Sequence, residues 1–103
     1  MPFEGCFPRA FNIASVQRDA PACSGVYGLS DAREWIYIGE TANIQGRLME
    51  LLQSTTSSAF LRGRTPTGFS FEICHPSSRF ARQDRLVHEF EPVINRRPAT
   101  GNR

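Results

Sequence analysis

Apolar positions recur with two different periods along this chain. "GVYGL", Gly25 to Leu29, and "WIYI", Trp35 to Ile38, are short runs rich in β-branched and aromatic residues on either side of the polar "SDARE", a composition of hairpin-loop type. The pattern predicts an antiparallel hairpin. After it the period changes: Ile44, Leu48, Leu51 and Leu52 recur at helical spacing behind Asn43, a good N-cap, so an amphipathic helix is expected to about Gln53, weakened a little by Gly46. "GFSFEIC" then alternates Phe69, Phe71 and Ile73 with Ser70 and Glu72, the period of a half-buried third strand. Beyond Pro76, Ser77 or Ser78 can cap a final helix through "RFARQDRLVHEFE", broken by Pro92. Its apolar stripe is Phe80, Leu86, Val87 and Phe90, and Gln83 falls in the middle of it. An inward polar group needs partners. Gln83 is either a side chain at the core edge, bonded to backbone or water, or part of a site that opens onto this face.

The remaining segments are less regular. Residues 1–23 carry Pro2, Pro8 and Pro21 among scattered Phe and Ala, which predicts an irregular extension packing on the domain, with a short strand near Phe11 to Val16. "STTSSAFLRGRTPTG" is polar and turn-rich, with one helical turn expected at Ser58 to Leu61. The fold expected is α+β, a three-stranded antiparallel sheet flanked by helices, over residues 24–97, with 98–103 as a tail.

Composition narrows the function classes. At 103 residues the chain has room for one core. No apolar run approaches the roughly 18 to 20 residues of a membrane span, and the start lacks the charged and apolar regions of a secretory signal, so a cytoplasmic setting with no membrane partner is expected. Cys6, Cys23 and Cys74 are odd in number and form no CxxC pair, which points to reduced thiols; Cys74 with His75 lacks the spacing of structural zinc sites. The net charge is only +2, but all twelve basic residues are arginine. That choice reflects either genome composition or the bidentate grip of guanidinium on phosphate. Arg62 and Arg64 in a Gly/Pro-rich loop, with Arg96, Arg97 and Arg103 near the C-terminus, are candidates for a phosphate-facing edge.

Facing strands of a hairpin put alternate residues on one side, so Tyr27 and Tyr37 can line one concavity, with Arg47 on the following helix able to hold phosphate charge. On residue type alone, two amphipathic tyrosines in a small core with Arg47 in a surface pair are the favoured account of the pattern. The spacing carries more. "GVY" (Gly25, Val26, Tyr27), nine intervening residues, "YIG" (Tyr37, Ile38, Gly39), then Thr41, Asn43, Ile44 and Arg47 resemble the core signature of the GIY-YIG endonuclease family. "LVHEFEPVIN", with Pro92 and Asn95, is similar to that family's closing helix.

The resemblance implies a DNA phosphodiesterase using one divalent metal, Mg²⁺ or Mn²⁺, on duplex or branched DNA. Tyr37 would help deprotonate the attacking water, Tyr27 would line the pocket, and Arg47 would bind the scissile phosphate. Asn95 would hold the closing turn, while Gly25, Gly39 and Thr41 would shape the motif. Two positions depart from the family pattern. The metal-binding glutamate falls on Gln83, a neutral amide that suits a hard cation poorly, and a His or Tyr often found four residues after the arginine is Leu51. Asp84 and Glu89 are carboxylates on the same helix, about 100° or more around it from the required face. Three functions follow as expectations: a metal-dependent endonuclease, a catalytically silent nucleic-acid-binding module, or a protein-interaction module on the same fold.

Overall fold

A computed structural model of the protein describes residues 8–53, 61 and 63–95. Along these the chain forms β1 (Arg9–Ala10), α1 (Ile13–Asp19), β2 (Gly25–Ser30), β3 (Trp35–Thr41), α2 (Ile44–Gln53), β4 (Gly68–Ile73) and α3 (Arg79–Phe90). The expected α+β architecture holds, with one strand more than the sequence suggested: the sheet is antiparallel in the order β1-β4-β2-β3. None of the helices among the described residues is long and apolar enough to cross a membrane.

The N-terminal segment corrects an expectation. Residues 9–19 are not irregular, and no strand runs from Phe11 to Val16; β1 pairs Arg9 with Phe69 and Ala10 with Gly68, and a helix follows at once. The β-branched and aromatic residues there are a weak preference, overridden by a local bond: the Asn12 side chain accepts the Ser15 backbone N–H at 2.8 Å and caps α1. One turn apart, Val16 and Ala20 then bury against α2 residues in the main core. Ala20 is extended, as the residue before Pro21 should be, and the helix stops.

Asp31 shapes the hairpin turn, its carboxylate accepting the backbone N–H groups of Arg33 and Glu34 at 2.8 and 2.9 Å. The ladder then slips: Ser30 faces Trp35 but Leu29 faces Tyr37, leaving Ile36 as the extra residue of a bulge. β2 lies between β3 and β4 and is buried along its whole length, because helices cover both faces of the sheet. On one face Tyr27, Leu29 and Phe69 pack with Val16 of α1 and Ile44, Leu48 and Leu51 of α2. On the other, Val26 and Ile38 pack with Leu86 of α3. The sheet therefore separates the tyrosine side from the α3 side.

α3 docks differently from its predicted stripe. Phe80 is 68% exposed, and the inward positions are Arg79, Arg82, Gln83, Leu86, Val87 and Phe90. Ion pairs rotate the first turn: Arg79 reaches Glu40 and Arg82 reaches Glu72, both carboxylates of the sheet. Ser78 occupies the N-cap position without a side-chain capping bond. The helical turn expected at Ser58 to Leu61 lies, apart from Leu61, outside the described residues.

Candidate active site

Tyr27 and Tyr37 do share a face. Tyr27 stands opposite Gly39 and Tyr37 opposite Leu29, which makes the two phenols diagonal neighbours on adjacent strands. Their ring centroids are 6.0 Å apart and tilted by 49°. Gly39 makes the pairing possible: a Cβ there would lie 2.7 Å from the Tyr27 hydroxyl and 2.7 Å from Cε2 of Tyr37. The side chains of the pair thus occupy the space that any larger residue would need. Gly25 serves another approach, since a Cβ on it would strike the Glu72 carbonyl of β4 and Cδ1 of Ile44.

α2 brings the cation. The Asn43 side chain accepts the Gly46 N–H at 2.9 Å, and the Thr41 hydroxyl accepts the Asn43 N–H at 3.1 Å while donating to the Asn43 carbonyl at 3.3 Å. This tight turn fixes the helix start directly after β3. Arg47, on the first turn of α2, then donates from Nε to the Tyr27 hydroxyl at 3.3 Å and from Nη1 to Glu50 at 3.2 Å. The guanidinium is two-thirds covered, whereas Glu50 is mostly in solvent.

Burial sets the chemistry of the inner phenol. Tyr27 is 1% exposed, and loss of solvation pushes its pKa up to about 12, with Arg47 pulling the other way and Tyr37 adding to the rise. Tyr27 is therefore a neutral phenol at physiological pH, a hydrogen-bonding wall and not a base. Tyr37 is half-buried and more open to solvent.

The other candidates divide. Asn95 bonds to both backbone groups of Ile38, accepting its N–H at 2.8 Å and donating to its carbonyl at 3.0 Å. With Val93 N–H on the Trp35 carbonyl and Ile94 N–H on that of Ile36, residues 93–95 close the edge of β3 much as another strand would. Asn95 is thus anchored to the sheet by a peptide-like pair of bonds. Leu51 is a core residue, 6% exposed. Arg64 is paired with Glu34 at 2.6 Å beside the hairpin turn; Arg62, Arg96 and Arg97 lie outside the described residues. Asp84 and Glu89 are exposed and line an open groove with His88, Glu91 and Asn95.

Gln83 is half-buried on α3, whose apolar contacts lie on the Val26 and Ile38 face of the sheet. Arg79 precedes it by one turn and Arg82 by one residue, and their guanidiniums pair with Glu40 at 2.5 Å and Glu72 at 2.9 Å. Among the described residues no group of three His, Cys, Asp or Glu side chains converges to hold a metal. Gln83 offers Mg²⁺ or Mn²⁺ only an uncharged carbonyl dipole, a poor substitute for a carboxylate, and arginines stand one turn and one residue before it on α3. Sequence reasoning missed Glu40, Glu72, Arg79 and Arg82; the available signal was alternation, which puts Glu40 and Glu72 on the face opposite the tyrosines.

No family model and no curated protein matches this sequence. Solved structures do match. The GIY-YIG N-terminal endonuclease domain of UvrC from Thermotoga maritima, bound to its catalytic divalent cation magnesium, is similar to it with a TM-score of 0.68 and 24% identity over 82% of this chain and 96% of that one. Two point mutants of the same domain, each bound to the catalytic divalent cation, match with the same TM-score and coverage at 24% and 23% identity. The chain has the GIY-YIG fold.

Proposed function

We propose that this chain binds a phosphodiester of duplex or branched DNA in a GIY-YIG-type pocket and does not hydrolyse it with a divalent metal. Arg47 holds the phosphate as a charge-assisted donor, Tyr27 orients that guanidinium and walls the pocket, and Tyr37 forms its solvent side. The observation that carries the binding half is the Arg47 to Tyr27 bond beneath the two phenols at 3.3 Å. The observation that carries the silence is the neutral amide at Gln83, preceded on α3 by Arg79 and Arg82, which pair with Glu40 and Glu72.

A second reading, the metal-dependent endonuclease, draws support from the same constellation, because Tyr27, Tyr37, Gly39 and Arg47 are assembled as cleavage would need. Supercoiled plasmid separates the two. The binding reading expects retarded migration in chelator and no nicked or linear product with Mg²⁺ or Mn²⁺. Nicking by the unmodified chain that disappears in Arg47→Ala would establish the endonuclease instead.

A further inference from the structure

Around Gln83, where the resemblance puts the metal ligand, α3 carries two arginines that pair with sheet carboxylates. Val26 of β2 stands opposite Glu40 of β3 and Glu72 of β4, so the two carboxylates lie in one row across three strands, on the face covered by α3. Each receives an arginine from the start of that helix. Arg79 donates from Nε to Glu40 at 2.5 Å and from Nη1 to the Ser24 hydroxyl at 3.0 Å; Arg82 donates from Nε to Glu72 at 2.9 Å. The side chains of both pairs are between 19% and 32% exposed, so solvent screens them less than ordinary surface pairs.

We infer that Arg79 and Arg82 bar a divalent cation from this face, so that restoring a carboxylate at Gln83 does not by itself restore a metal site. The inference rests on the reading that the domain binds DNA without metal-assisted cleavage. A glutamate at 83 sits one turn after Arg79 on the same side of the helix, where an ion pair forms readily. It would be claimed by the guanidinium before a hydrated cation. Glu40 is already neutralised by the same arginine, and Glu72 by Arg82. A cation entering here meets two matched ion pairs and no free carboxylate among these residues.

Mn²⁺ binding followed by electron paramagnetic resonance tests this without reference to activity. The wild-type chain and Gln83→Glu are expected to leave Mn²⁺ free to the same extent, and Gln83→Glu combined with Arg79→Gln to bind it at least about tenfold more tightly than Gln83→Glu alone, a non-additive gain typical of residues sharing one site. Gln83→Glu with Arg82→Gln gives a second route to the same gain if removal of Arg79 unfolds the protein. Tight Mn²⁺ binding by Gln83→Glu alone would overturn the inference, and so would folded double variants that bind no better than wild type. DNA affinity measured in chelator reads the Arg47 pocket separately, so failure of the DNA-binding reading leaves the Mn²⁺ result interpretable.

Discussion

Arg47 and Arg79 both bond to side chains of the central sheet, but from opposite faces and with different consequences. Arg47 meets a neutral phenol, Tyr27, and an exposed Glu50. The Glu50 pair is largely in solvent, where an ion pair contributes little. Arg79 meets Glu40 and Ser24 in a half-buried setting and its charge is consumed there. The two faces of one sheet thus set arginine in different surroundings, so that anion binding on one and cation binding on the other can be tested separately. On the tyrosine face Arg47 lies against a phenol, while on the α3 face Arg79 and Arg82 are matched to sheet carboxylates.

The largest effect should come from Gly39, where the tyrosine face has no spare volume. Gly39→Val puts branched atoms into the space of both phenols and is expected to cost about 3 kcal/mol, at the upper end of overpacking penalties, read as a lower midpoint in urea. A second variant, Gly39→Ala with Tyr27→Phe, removes the hydroxyl that crowds the new Cβ and should recover part of that loss.

The next effect is alkaline. The Tyr27 pKa is raised from 10.0 to about 12, so the folded state holds its proton where the unfolded chain releases it. The stability this provides is whole below pH 10 and declines as pH rises towards 12. Linkage makes the decline up to about 2 to 3 kcal/mol, measured as the change in urea midpoint between pH 9 and pH 12; Tyr27→Phe should flatten that dependence. A smaller effect belongs to Asn95→Ala, which strips both bonds from Ile38 at the sheet edge. It is expected to cost about 1 to 2 kcal/mol, because the freed peptide groups regain water only in part. If Asn95 anchors the sheet and does not touch the ligand, DNA affinity in the folded variant stays within about twofold of wild type.

How much of this was legible depended on the reach of the interactions. The hairpin and α2 follow from alternation and helical spacing within a few residues, whereas the register that brings the two tyrosines together depends on the bulge at Ile36, which alternation does not reveal. Gln83 also faces inward, as its place in the helical period indicates. The first turn of α3 departs from the helical stripe because Glu40, 39 residues before Arg79, and Glu72, 10 residues before Arg82, draw the two arginines inward and leave Phe80 in solvent. α1 was missed because one capping asparagine outweighed the β-branched composition of its first turn. The bond of Asn95 to Ile38 joins residues 57 positions apart, and nothing in the local sequence of either one identifies its partner.

The central claim is that Arg47 holds a nucleic-acid phosphate without help from a metal. The most direct test is fluorescence anisotropy of a short labelled DNA duplex, titrated in chelator over a range of salt concentrations with wild-type protein and with Arg47→Ala. The account predicts binding that weakens as salt rises, and for Arg47→Ala an affinity about tenfold lower with a salt slope shallower by about one counterion. Equal affinity and equal slope for the two proteins would contradict it.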